Sequence, residues 1–134
     1  MQIAAEVGVT KPPKLAVSRM TFVGATDGDA LEAMADIQVS HRIFMRLFRN
    51  QATVKGGFTL PEPVDDEYSR EQLLANLVAG SPETCIAKVR DYEKLGVSQF
   101  IVYGAFGPDH SRTMASLRRF AEQVMPLFRK GPHS

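Results

Sequence analysis

Short apolar runs and longer amphipathic stripes alternate along the chain, and the alternation predicts a mixed α/β architecture. Leu15 to Val23 (LAVSRMTFV) reads as a strand, with β-branched and aromatic residues gathered at its far end. Gly24 to Asp29 is turn chemistry with a helix N-cap at Thr26 or Asp27. From about Asp29 to about Arg49, Leu31, Met34, Ile37, Phe44, Leu47 and Phe48 fit a helical stripe whose spacing slips near Val39-Ser40, where a break is expected. Asn50 to Glu67 holds Gly56-Gly57, Pro61 and Pro63 and shows no periodicity, so it reads as a long irregular segment of the kind that forms lids.

The second half is more sharply punctuated. Ser69 caps a short helix through about Asn76, Leu77-Val78-Ala79 forms a short buried strand, and Gly80 turns out of it. Ser81-Pro82-Glu83-Thr84 starts a helix with a cap, a first-position proline and an acid near the positive dipole end. Its apolar face is Cys85, Ile86, Val89, Tyr92 and Leu95, and Gly96 ends it. Val97 to Tyr103 is the next strand. A loop over Gly104 to His110 leads to a last helix capped by Ser111, with Met114, Leu117, Phe120, Ala121, Val124 and Leu127 inward and Pro126 bending its end. The order is a strand–helix unit over 14–49, an irregular segment over 50–68, and helix–strand–helix–strand–helix over 69–134. The first fourteen residues, ending Lys11-Pro12-Pro13-Lys14, read as a lead-in loop. Leu77 through Tyr103 reads as a βαβ unit with a parallel strand pair, its strands buried on both faces.

Composition narrows the chemistry. With 134 residues, 44% apolar, 23% charged and a net charge of +1, the chain suits one globular domain and gives no bulk electrostatic reason for a nucleic-acid or membrane partner. The single cysteine, Cys85, excludes an internal disulfide and reads as inert packing; the reading is cytoplasmic, with no signal peptide and no spanning run. His41 and His133 have no companions at ligand spacing, so no metal site is expected. Arg42, Arg46 and Arg49 form a basic edge on the first helix, read as a solvated face in preference to an anion site. Arg112, Arg118 and Arg119 take the same reading.

Gly80-Ser81-Pro82-Glu83, Leu95-Gly96-Val97, Phe100 to Tyr103, and Phe120-Ala121 with Val124-Met125-Pro126 follow one another in the order and spacing of a known family. Together with Leu15 to Ala33, they make the chain resemble the C-terminal portion of the luciferase-like flavin-dependent monooxygenases. The resemblance implies α/β architecture as a partial (β/α)8 barrel, the last three or so strand–helix units with parallel strands. Eight such units need about 250 residues, so the expectation is a chain that lacks the first five staves, is inactive alone, and is not a monomer. Its partner would be another copy or the missing part of the barrel. The implied activity is oxidation of a small organic substrate with O2 and reduced FMN, or chemistry with the deazaflavin F420 in some branches.

In such a barrel the active groups lie at the C-terminal ends of strands, which on this sequence selects Val23 to Asp27, Gly80-Ser81 and Tyr103 to His110. Sulfonate-oxidising relatives carry Gly-Tyr-Pro-His after the last strand. This chain reads Gly-Ala-Phe-Gly-Pro-Asp-His, which matches His110 but leaves Phe106 where the tyrosine would be. His110 and Tyr103 are the catalytic candidates, set against a plain pre-helix loop residue and a packed strand residue. Phe106 is the candidate wall of a substrate pocket. Gly80 and Ser81 could offer backbone N–H groups to a phosphate, against the simpler reading of an ordinary capped helix start. A non-enzymatic alternative is an oligomeric α/β module that binds a partner or small ligand through Asn50 to Glu67 and Phe44, Leu47 and Phe48.

Overall fold

The computed structural model describes residues 13–129 together with Gly8 and Lys11, so the lead-in loop expected over the first fourteen residues lies mostly outside the described residues. The elements are β1 (Leu15–Val23), α1 (Asp27–Phe48), β2 (Val54–Lys55), β3 (Phe58–Thr59), α2 (Arg70–Asn76), β4 (Val78–Gly80), α3 (Pro82–Lys94), β5 (Val97–Tyr103) and α4 (His110–Arg119). The chain after α4 continues as a π-helical turn over Phe120–Val124 and a 3-10 turn over Met125–Leu127, where Pro126 sits.

Strand order decides the architecture. β1, β4 and β5 form a parallel three-stranded sheet in the order β4-β1-β5. The expected direct pairing of β4 with β5 does not form; β1 lies between them, with Val23 opposite Gly80 on one side and Met20 opposite Tyr103 on the other. The chain leaves β1 for one edge and then crosses back to the other. With crossovers of one hand, that reversal puts the connecting helices on opposite faces.

The burial follows this geometry. Alternate side chains of a strand point to opposite faces. Phe22 and Ala79 pack with Ala30, Ala33, Met34 and Ile37 of α1, while Val23 and Val78 pack with Cys85 and Val89 of α3 and with Val124. The two alanines let α1 lie close to the sheet. Parallel strands and α/β layering are therefore as expected, but this sheet is flanked by helices on both faces, whereas a barrel wall carries them on one.

Several local expectations are corrected. α1 is unbroken through Val39-Ser40. At 22 residues it is about 33 Å long, so its C-terminal half overshoots the sheet and leaves Leu47 and Phe48 exposed. Leu95 is 75% exposed because it is already the C-cap of α3 and no longer on the helical face. β5 is not buried on both faces; Ser98, Gln99, Ile101 and Tyr103 are exposed. The cap of α4 is Asp109 in place of Ser111, its carboxylate accepting from the Arg112 amide at 2.9 Å. The buried face of α4 is Thr113 and Ser116, while Met114, Ala121 and Leu127 point outward. A polar face is needed there because α4 meets strand-end backbone groups.

The irregular segment is held down by charge. Arg42 grips Glu67 through two hydrogen bonds of 2.6 and 2.7 Å, Arg46 meets Glu62 at 2.7 Å, and Arg49 grips Asp66 at 2.6 and 2.7 Å. The Gln38 amide also donates to the Tyr68 carbonyl, and Val64 is buried beneath the strap. The basic edge of α1 is thus neither a bare solvated face nor an open anion site. Single exposed pairs contribute only about 0–1 kcal/mol each, but three in register fix where the segment lies. The segment also contains the hairpin of β2 and β3, turned by Gly56 and Gly57 at φ of 59° and 83°, a region that favours glycine.

Phe22 is the largest side chain sealed between β1 and α1. Phe22→Ala is expected to cost about 3–5 kcal/mol, read by urea denaturation. A cost under about 1 kcal/mol would mean that this face of β1 is not covered by α1.

Candidate functional site

The C-terminal ends of β1, β4 and β5 converge on the loop over 24–26 and the N-termini of α3 and α4. Gly24 and Gly80 meet there through a backbone hydrogen bond of 2.9 Å. A Cβ at Gly24 would stand 2.7 Å from the Thr26 carbonyl oxygen and 2.8 Å from the Ala30 nitrogen, so the turn from β1 into α1 needs glycine. Gly80 has φ +144°, and a Cβ there would collide with Thr84 and with the Asp27 carboxylate.

Two carboxylates organise this end of the sheet. Asp27 Oδ1 accepts from the Ser81 amide at 2.6 Å, with the Thr84 hydroxyl as a further hydrogen-bond partner, and these bonds hold its carboxyl below the usual range. Asp29 Oδ2 accepts from the Ala25 amide at 2.8 Å, and its Oδ1 accepts from Arg112 at 2.9 Å. The Ala25 amide first, and Arg112 after it, likewise hold Asp29 low. Arg112 lies over the Phe22 ring, 5.7 Å from its centroid. Sequence reading selects Val23 to Asp27 as a strand end where active groups would lie, but it gives Asp27 no role beyond a helix cap and does not single out Asp29. The usable signal was two acids four and six positions past the strand end at Val23, opposite a helix N-terminus that attracts negative charge.

In an open parallel sheet a ligand lies outside the strand ends where the chain reverses direction, which in this order is between β1 and β5. α4 fills that crevice. Ser116 Oγ accepts from the Val23 amide at 2.8 Å, Arg119 donates to the Val23 carbonyl at 3.2 Å, and Leu117 presses on Gly104 so closely that a Cβ there would stand 2.6 Å away.

The structure brings the candidates to the same end of the sheet but not into one constellation. Tyr103 is 40% exposed at the end of β5, tilted against Phe106 with ring centroids 5.5 Å apart. His110 is the exposed first residue of α4 and makes no side-chain hydrogen bond among the described residues. Phe106 is buried in the core with Phe22, Met34 and Ile37, because Gly107 lets the loop pass within contact of the α1 backbone at Asp36 and Ile37. It is placed to pack rather than to line an opening. The Ser81 amide is already taken by Asp27, so a phosphate at the α3 N-terminus would have to displace a carboxylate. Ser81 Oγ caps Thr84, as an ordinary helix start requires.

The remaining polar and nucleophilic groups are structural. Burial pushes the Cys85 thiol up to about 12, where it stays protonated among the carbonyls of Phe22, Val78 and Gly80. Lys88 donates to the carbonyls of Leu74, Leu77 and Ala79, and its burial lowers the ammonium's pKa. His41 packs against Tyr68, and burial lowers its pKa as well. Among the described residues no three His, Cys, Asp or Glu side chains are grouped to share a metal ion, and no helix is long and apolar enough to cross a membrane.

No family model matches the chain. It is 28% identical over 123 residues to the oxygenase component of the flavin-dependent trigonelline monooxygenase of Acinetobacter baylyi. The alignment covers 87% of this chain and 34% of that protein, so the chain spans about a third of the length of this relative. The similarity supports a relationship to flavin-dependent monooxygenases.

The Asp27–Ser81 bond carries a pH signature. A carboxyl held below its unfolded value contributes stability above the ordinary carboxylate range and loses it as pH falls through its folded pKa. Asp27→Asn is therefore expected to be less stable than the parent at neutral pH, with the gap closing as pH drops below about 4. Thermal unfolding of both proteins across that range checks it, and a gap that stays constant with pH would refute the charge-based account.

Proposed function

We propose that this chain is the C-terminal portion of a luciferase-like, flavin-dependent monooxygenase, an oxidoreductase that spends reduced flavin and O2 on a small organic substrate. The 28% identity to a flavin-dependent oxygenase component, carried over nearly the whole chain but a third of the relative, supports this reading. So does the ordered run Gly80-Ser81-Pro82-Glu83, Leu95-Gly96-Val97 and Val124-Met125-Pro126. In the parent barrel the three sheet strands would be its last staves, with Tyr103 and His110 at the substrate end.

The residues at that end of this chain do not fit a flavin. Asp27 supplies negative charge where a flavin phosphate would seek the α3 N-terminus, Phe106 is sealed in the core, and α4 covers the ends of β1 and β5. The flavin surface, for FMN or F420, belongs to the staves that this chain does not contribute, and the chain alone is inactive. The barrel reading also requires β5 to lie beside β4 in the full enzyme, which means exchanging the β1–β5 ladder.

A second reading is favoured by one observation: both sheet faces carry helices and the strand ends are capped from within. Those features suit a non-enzymatic oligomeric α/β module that binds a partner or small ligand.

Purified chain incubated with FMN and desalted is expected to retain no visible flavin absorbance, while a fusion to a segment supplying the remaining two thirds of the relative's length retains it stoichiometrically. Stoichiometric flavin on the chain alone would overturn the assignment of the flavin surface to the missing staves. A flavin-free fusion would overturn the oxygenase reading itself.

A further inference from the structure

The two outer edges of the sheet are treated in opposite ways. β4 is only three residues long, and its outward carbonyls are capped within the chain. Gly80 O faces β1, where it accepts from Gly24, so the alternate carbonyls of Leu77 and Ala79 face outward, and Lys88 Nζ donates to them at 2.9 and 3.0 Å. β5 is seven residues long and reads VSQFIVY, without a charge, a proline or a bulge-forming glycine. Its paired side faces β1; among the described residues its only side-chain hydrogen bond, from Ser98 Oγ to the Leu15 carbonyl, also points inward. Charged residues, prolines, bulges, covering loops and short length are the usual devices that blunt a strand edge; among the described residues the register of β5 is irregular only at its start, at Ser98, and its outer edge over Gln99–Tyr103 has none of them.

We propose that β5 is the pairing edge for a second copy of this chain. Two copies related by a two-fold axis would bring their β5 strands together antiparallel, joining the two three-stranded sheets into one. A two-fold contact requires a self-complementary surface, and an uncharged strand meets that need without like-charge repulsion. A seven-residue edge is about 24 Å long on a sheet about 10 Å thick, a strip of roughly 240 Å², which falls short of the ~800 Å² per partner of a standard interface. The flanks add apolar surface to it. On one face Ile101 and Tyr103 are 45% and 40% exposed. On the other, β5 forms one wall of a groove of about 800 Å³ that also exposes Tyr92, Phe120 and Phe128. This is a surface for a dimer of the chain as it stands that dissociates on dilution.

Light scattering across a dilution series, with hydrogen exchange at its two ends, tests the proposal on the chain as it stands. Wild type is expected to approach twice 14.8 kDa at high concentration, with β5 amides exchanging more slowly there. Ile101→Lys is expected to weaken the dimer by at least about tenfold, and Phe48→Asp to leave it intact, both with wild-type circular dichroism. A wild type that stays monomeric throughout would overturn the proposal, as would a dimer broken by Phe48→Asp but not by Ile101→Lys. Concentration-independent exchange in β5 would also overturn it, a reading that does not depend on either variant folding. A monomer without flavin removes this interface and leaves the oxygenase reading standing, so the two can fail separately.

Discussion

Everything in this structure follows from the place of β1, the strand with a neighbour on each side. Because Thr21, Phe22 and Val23 are buried consecutively, both faces of β1 need cover, and one helix cannot supply it. α1 takes the Phe22 face and α3 takes the Val23 face. The reversal of chain direction that this demands also fixes where strand ends gather, and therefore where polar backbone groups must be satisfied.

That satisfaction explains the polar character of the functional end. Strand and helix termini expose unpaired N–H and C=O groups, and leaving one buried without a partner costs about 1–3 kcal/mol. Ser116 and Arg119 take the two backbone groups of Val23, Asp27 takes the Ser81 amide and Asp29 the Ala25 amide. The same groups could be arranged to hold a ligand; in this chain they are spent on holding the elements together. An anion-binding helix start and a self-capped one differ only in whose carboxylate or phosphate is present, so helix chemistry alone does not distinguish them.

Local elements were legible where the signal was local. Ser69 and Ser81 are capping residues with unmistakable spacing, and the strands at Leu15 and Val97 announce themselves by composition. Strand order was not legible, because a crossover to the adjacent position and one past β1 use the same strand–helix–strand pattern. The basic edge of α1 was misjudged for a related reason: Arg42, Arg46 and Arg49 were weighed without the acids Glu62, Asp66 and Glu67 that lie across from them. Of the candidate site, Tyr103 and His110 do sit at the expected end, but the burial of Phe106 depends on a loop crossing at Gly107 that no periodicity predicts.

The relationship to a flavin-dependent oxygenase and the helix-covered open sheet meet on one question, which strand lies beside β5. Backbone nuclear Overhauser contacts in the isolated chain answer it directly. The account predicts cross-peaks joining Val17 to Phe100 and Arg19 to Val102. Cross-peaks from β5 to Val78–Gly80, with none to β1, would contradict it.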